Sequence, residues 1–352
     1  MTIHRKIFVG IFSAIFMLGV AFPSMAGESK DSFQPGDFIL DHIGDAYDWH
    51  VLTWNGHHVS VPLPIIVYGK QSGFKMFMSS KFHHGSHSYQ GFSIAGEDHP
   101  NKGKIVEDAT GKRPVLDLSI SKNVFAIIVT MAIMLWVFIL VAKIYANRGN
   151  QAPKGLQSAV EMALLFVRDD IARPAIGYKY KRFMPFLLTL FFFILISNFM
   201  GLLPVIPFGA NVTGNIAVAL ILASMTFVIT TFSSTKIYWA HIFNTPGVPW
   251  WLKIPLPIMP LVELMGVFIK PFVLMIRLFA NITAGHIIVM GFFSLIFIFG
   301  GMNVGMGFGA SIISVLFTVF MFFLELLVAF IQAYVFTLLS ALYFGMAVQE
   351  HH

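Results

Sequence analysis

The chain has 352 residues, of which 57% are hydrophobic and 38 are phenylalanine, and its mean hydropathy is +0.76. Only 11% are Asp, Glu, Lys or Arg, under half the share found in an ordinary soluble domain. This excludes a disordered chain, a nucleic-acid binder and nearly every soluble enzyme, and the formal charge of +6 belongs to an integral membrane protein with unevenly placed charges.

The chain opens with a secretory signal peptide over residues 1–26. His4, Arg5 and Lys6 precede an apolar run from Ile7 to Phe22, and Ser24 and Ala26 supply the small residues before a cut. A water-exposed extension over 27–121 follows, expected outside the cytoplasm. Short alternating runs such as Val59-Ser60-Val61 and Ile65-Ile66-Val67-Tyr68, broken by Gly, Pro, Asn and Asp, give it a β-leaning character. Eight of the 13 histidines lie here: His42, His50, His57, His58, His83, His84, His87 and His99. His83-His84-x-x-His87 has the residue type of a metal site. Solvated loop histidines are the favoured reading, because the chain has no cysteine and no firm helix sets a ligand geometry there. No metal or cofactor is expected.

The membrane domain spans 122–352. Its first crossing runs from about Val124 to Ile144. Lys143, Arg148, Lys154, Arg168, Arg173, Lys179, Lys181 and Arg182 crowd the region behind it, which places that side in the cytoplasm. Gly155 to Ile171 is expected as an amphipathic helix at the interface, since Leu156, Val160, Ala163, Leu164 and Val167 alternate with Gln157, Glu161 and Arg168. Further crossings are Met184–Leu203, Thr213–Ser233, Met259–Phe299 and Ser311–Ala347. A loop with Trp239, Trp250, Trp251 and Lys253 and a glycine-rich loop from Gly300 to Gly309 separate the later ones. The last two exceed what a perpendicular crossing needs, so they should tilt. The fold class is therefore an all-α integral membrane protein. It has about five transmembrane helices, an interfacial helix and a small N-terminal domain, with the C-terminus expected in the cytoplasm.

Between Phe183 and Val348 the charged residues are only Lys236, Lys253, Glu263, Lys270, Arg277 and Glu325. An ionisable group within a bilayer costs about 2.5–3.5 kcal/mol on insertion scales, so it marks function by default. Glu263, Lys270 and Arg277 are seven apart and Asn281 returns to the same face, which makes one polar stripe. His286 turns to roughly the opposite side. Glu263 to His286 covers ~35 Å of helix axis, close to a whole membrane. In the last helix Thr318, Glu325 and Gln332 are again seven apart, with Tyr343 on their face. Glu and His can exchange protons with water, whereas a guanidinium stays charged and blocks a leak between two half-paths. Helices merely knitted together by ion pairs would explain Glu263 with Lys270, but not Arg277.

The run Leu261–His286, with its core Arg277-Leu-Phe-x-Asn281-x-x-Ala-Gly285, resembles subunit a of F-type ATP synthases. Glu325 to Phe336, with Gln332, is a second match; Pro153-x-Gly155-x-Gln157 and Asn198-x-x-Gly201-Leu-Leu-Pro204 add support. The resemblance covers about Val115 to Glu350 and leaves residues 27–113 without a counterpart. It implies a stator subunit beside a rotating c-subunit ring, held by the b subunits of the peripheral stalk and working with the remaining ATP synthase subunits, the lipid bilayer and protons. It implies further that Arg277 faces the ring carboxylate with Gln332 and Asn281 nearby. Glu263, with Lys270 on the same stripe, then belongs to the proton exit, and His286 and Glu325 to the inlet. Many bacterial members carry an acid where this chain has His286 and a histidine where it has Glu325. Both positions are exchanged together here, which keeps an acid–imidazole pair. The chain holds no nucleotide-binding loop, so it would not itself make ATP. A secondary transporter would show inverted repeats, and an intramembrane enzyme a nucleophile or metal pair beside Glu263 or Glu325. Neither pattern is present in the sequence.

Overall fold

The computed structural model describes residues 35–54, 57–96, 99–148, 152–202, 209–243 and 258–348. The expected signal peptide, Pro204, Trp250, Trp251 and Lys253 lie outside the described residues.

The N-terminal part begins with helix α1 (Pro35–Ile43) and continues with strands β1 (Asp48–Trp54), β2 (His57–Pro62), β3 (Pro64–Gly69) and β4 (Gly73–Met78). A 3₁₀ turn over Ser79–Gly85 precedes β5 (Phe92–Ile94), β6 (Ile105–Glu107) and β7 (Leu116–Asp117). They pair antiparallel as β1–β2, β4–β3–β7 and β5–β6, so the β-leaning character is realised. Alternation in β3 sends Ile65 and Val67 inward, where they meet Phe82, Phe92 and Ile105 in a small core. Gly73 closes the β3–β4 hairpin at a φ of +69°, a conformation that disfavours any side chain. Glu107 is buried, and its carboxylate accepts N–H bonds from Ser72 at 2.8 Å and Gln71 at 2.9 Å. The Ser72 bond above all holds that carboxyl below its usual range. The rings of His83 and His87 meet edge-on with centroids 5.3 Å apart. Among the described residues no three His, Cys, Asp or Glu side chains gather as a metal would require.

This small domain is fixed to the first long helix, α2 (Lys122–Arg148). Asp45 caps α2 by accepting from the Asn123 N–H at 3.0 Å and the Ser121 hydroxyl at 2.8 Å. The Lys122 N–H donates to the Ala46 carbonyl at 2.8 Å. Trp49 meets Phe125 edge-on at 5.7 Å, joining the same apolar cluster as the membrane helices.

Beyond α2 come α3 (Leu156–Phe166), a π-helical turn (Val167–Ala172), α4 (Arg173–Ile176), α5 (Tyr180–Leu202), α6 (Ile216–Ser233), the short α7 (Lys236–Phe243), α8 (Ile258–Met302) and α9 (Val304–Val348). Among the described residues, five helical stretches are long and apolar enough to cross a bilayer: 122–147, 156–202, 216–233, 259–302 and 304–348. The second contains the amphipathic helix, which turns Gln157, Val160, Val167 and Ile171 inward. It is followed by a break at Gly177, whose φ is +75°, and then by the span α5. The predicted loop with Trp239 is helical around that residue.

The glycine-rich run differs from expectation. It is not a loop: α8 continues through Gly300 and Gly301 to Met302, and α9 begins at Val304 with Asn303 alone as the turn. The Asn303 side chain accepts the Gly305 N–H at 2.8 Å and so starts α9. The glycines serve close packing instead, since a Cβ on Gly307 would come within 2.8 Å of the Gly300 Cα. Each arm of this antiparallel hairpin has 45 residues, about 68 Å of helix, so both must cross a ~30 Å apolar layer obliquely or extend beyond it. The hairpin packs on α5 and α6, with α2 at the periphery against α5, and α1 lies against α8.

Candidate functional site

Helices α5, α8 and α9 and the loop before α6 enclose a cavity of about 420 Å³. Its polar lining comes from Ser197, Asn198, Asn211, Thr213, Asn281, His286, Glu325 and Gln332. His286 Nδ1 stands 3.8 Å from Glu325 Oε1, so the two residues that sequence placed on facing helices do meet. Gly285 makes this possible, because a Cβ there would lie 2.5 Å from the same carboxylate oxygen. On the other side of the imidazole, a Cβ on Gly201 would stand 4.0 Å from Nε2, which brings α5 to the histidine.

A buried polar network frames the pocket. Asn198, within α5, donates to the Ala329 carbonyl at 3.2 Å and accepts from the Thr213 hydroxyl at 2.5 Å. It thereby ties α9, one turn beyond Glu325, to the loop before α6. The Thr283 hydroxyl donates to the Gly214 carbonyl at 3.3 Å, which joins α8 to that loop. Ser197 Oγ and Asn211 Nδ2 are buried without a protein hydrogen-bond partner, and both residues line the cavity. A space of this size with such atoms in its wall suits water. Thr318, one heptad from Glu325, likewise carries a buried hydroxyl oxygen with no protein partner.

Arg277 is exposed, and so is Asn281, among the outward apolar side chains Phe272, Val273 and Ile276. Asn281 also lines the cavity, so one residue borders both the outward face and the polar interior. Gln332 is 4% exposed and faces the cavity from α9. Glu263 and Lys270 are half-buried, so the stripe on α8 turns from partly covered to open along its length. The Lys270 ammonium lies 5.7 Å from the centre of the Tyr343 ring on α9. With Thr230 and Tyr238 these two line a second, narrow cavity, and Glu263 is within electrostatic reach of both Lys270 and Tyr238. Helices α8 and α9 therefore bring polar groups together twice, at Lys270–Tyr343 on the α8 stripe and at His286–Glu325 off it.

Sequence reasoning did not single out Ser197, Asn211, Thr213, Thr283, Thr230 or Tyr238. Ser197 and Asn198 carried a signal as adjacent polar residues inside an apolar run. The loop residues carried none, because Asn, Thr and Gly are ordinary in a turn.

The sequence pattern of the ATP synthase A chain family matches residues 124–345, and a domain family of unknown function matches residues 38–124. Among similar proteins, ATP synthase subunit a 2 of Chlorobaculum tepidum is 46% identical over 239 residues, 66% of this chain and 64% of that protein. ATP synthase subunit a of Chloroherpeton thalassium is 43% identical over 244 residues, 67% and 69% of the two chains. Its namesake in Myxococcus xanthus is 43% identical over 250 residues, 67% and 75%. The chain thus spans 64% of the length of the first of these relatives, a little under two thirds. With that match covering the polar hairpin and the cavity behind it, the chain belongs to the ATP synthase A chain family, as a multi-pass membrane protein.

Proposed function

We propose that this chain is the proton-translocating stator subunit of an F-type ATP synthase, with one half-channel on each side of Arg277. The observation that carries the reading is an arginine exposed on an apolar helix face, with Asn281 one turn further along lining a polar cavity. A cation left against lipid is costly. The natural neighbour for Arg277 is therefore a carboxylate presented by another membrane subunit, and the c-subunit ring supplies one. The b subunits of the peripheral stalk would hold the chain against the turning ring.

In this reading the N-terminal domain lies in the periplasm and the C-terminus in the cytoplasm. The signal-peptide pattern and the basic residues behind α2 both favour that orientation. A proton enters through the cavity lined by His286 and Glu325, with Asn281 and Gln332 at its inner boundary, and neutralises a ring carboxylate. The neutral carboxyl can pass through lipid, which its ionised form enters only at high cost. The next carboxyl is drawn to Arg277, ionises, and releases its proton past Lys270 and Glu263. A potential of ~100 mV supplies ~2.3 kcal/mol per charge moved, and Arg277 turns that work into one direction of travel.

The test is Arg277→Ala in the assembled complex. ATP synthesis in energised vesicles should vanish, while the chain remains inserted and copurifies with a c-ring and soluble ATPase subunits. Near-normal synthesis refutes the role of Arg277, and purification as a solitary transporter refutes the assignment.

A further inference from the structure

The N-terminal domain matches a family of unknown function, and one of its surfaces is unlike the rest. Sheet β4–β3–β7 buries one face on Ile65, Val67 and Phe77. Its other face presents Phe74 and Met76 at 63% and 66% exposure, with Tyr68, Met78, Leu116 and Leu118 also exposed. The pairings Tyr68↔Phe74 and Tyr68↔Leu116, with the Leu118 N–H on the Ile66 carbonyl, make these side chains one continuous patch across three strands. A soluble surface rarely keeps so many apolar neighbours together without a purpose.

Two features of the fold say what covers it. The first is continuity with the lipid-facing surface. Three residues separate Leu118 from Lys122 at the start of α2, a reach of at most ~14 Å, and the exposed apolar residues in the first half of α2 include Val124, Ile128 and Met131. The caps from Asp45 and the Trp49–Phe125 contact fix the domain at that helix end and do not let it swing free. The second is charge. Exposed Lys70, Lys112 and Arg113 stand at the sheet end remote from α2, beside the β3–β4 turn and just before β7.

We propose that this sheet lies on the bilayer surface at the N-terminal end of α2. Its outer face beds into the boundary of headgroups and acyl chains, and Lys70, Lys112 and Arg113 hold its far end on anionic phospholipid headgroups. The sheet is thus an interfacial anchor, α2 its near attachment and the basic rim its far one. The surface takes lipid, and the proposal holds whichever leaflet α2 opens into, so it does not depend on the proton path.

The chain has no cysteine of its own, so a nitroxide can be placed at one site through Met76→Cys in the full-length protein. The protein is reconstituted in nanodiscs of phosphatidylethanolamine and phosphatidylglycerol. Power saturation then compares collisions with oxygen, which partitions into the bilayer, and with a water-soluble nickel complex. The oxygen-to-nickel ratio at position 76 should exceed one and approach that of a label at Met131→Cys on α2, while Lys102→Cys stays below one. Substituting Lys112→Gln and Arg113→Gln should lower the ratio at 76. Nickel access at 76 equal to that at 102 overturns the proposal, since the face is then in water. Shielding from both reagents also overturns it, because protein then covers the sheet.

Discussion

Gly285 offers the most direct test of the acid–imidazole pair. A methyl placed there would stand 2.5 Å from Glu325 Oε1, 3.2 Å from Cγ and 3.3 Å from Cδ. The carboxylate must withdraw by about 1 Å to reach ordinary van der Waals separation. Because the colliding atom ends a flexible side chain, rotation can relieve the clash at about 0.5–1.5 kcal/mol. Gly285→Ala should therefore assemble normally, with a melting temperature within about 4 °C of the parent. The altered quantity is the 3.8 Å separation from His286 Nδ1, which the displaced carboxylate no longer keeps. Residues in one network couple by about 0.5–3 kcal/mol, and 1 kcal/mol corresponds to a roughly fivefold slower proton flux. The assay is ATP-driven acidification of inverted vesicles at matched levels of assembled enzyme. In a Glu325→Ala background the same glycine change should cost nothing further, since no carboxylate remains to be displaced. Unaltered flux in Gly285→Ala refutes the argument, as does a full additional loss in the double variant.

The remaining expectations concern other links. Exchanging the pair, as His286→Glu with Glu325→His, should recover much of the flux that either single change loses; equal loss in the exchange and the summed singles would mean independent action. Gly345→Ala puts a Cβ into the carbonyl oxygen of Ala175, a backbone atom that cannot rotate aside, and should destabilise the chain by about 1–3 kcal/mol, measured as a lowered melting temperature in detergent. Glu107 has a carboxyl held low by the Ser72 and Gln71 amides; its stabilisation is present above the ordinary carboxylate range and is lost as pH falls through its depressed value. Hydrogen exchange at the Gln71 and Ser72 amides should accordingly quicken only in that acid window, and Glu107→Gln should remove the pH dependence. Deleting residues 27–113 should spare proton conduction while weakening the head of α2, which loses its Asp45 cap; lost conduction with normal assembly would place this segment in the proton path.

The membrane part was legible because burial in lipid permits few choices. Long apolar runs mark the spans, and charges seven apart within them mark the lining of a polar interior, whereas the pairing of His286 with Glu325 needed the family resemblance as well as helical periodicity. The glycine-rich run misled because glycine is equally the residue of turns and of close helix contact; only the Gly300–Gly307 approach tells them apart. The split of the α8 stripe into covered Lys270 and open Arg277 depends on where α9 crosses, which a single helix cannot report. The cavity loop was illegible for a related reason: Asn211 and Thr213 acquire meaning only when Asn198, on a different helix, reaches the same loop. In the N-terminal domain strand alternation was visible, but its outward apolar face could be told from its core face only once the neighbours were in place.

The close crossing of α9 over α4 has a mechanical side. Gly345 lets the end of α9 lie against the Ala175 backbone, Phe344 stacks on Phe183 at 4.7 Å, and the Thr235 N–H holds the Ala347 carbonyl at 2.9 Å. In the proposed function, a ring turning against the outward face of α8 and α9 would drag that hairpin sideways with each step. Asn303 closes one end of the hairpin, while the other is pinned to α4, α5 and the segment before α7. The pair therefore behaves as a cantilever with its clamp at Gly345. In that reading, torque would reach the rest of the stator through a joint of a few backbone atoms beside Gly345 and Ala347.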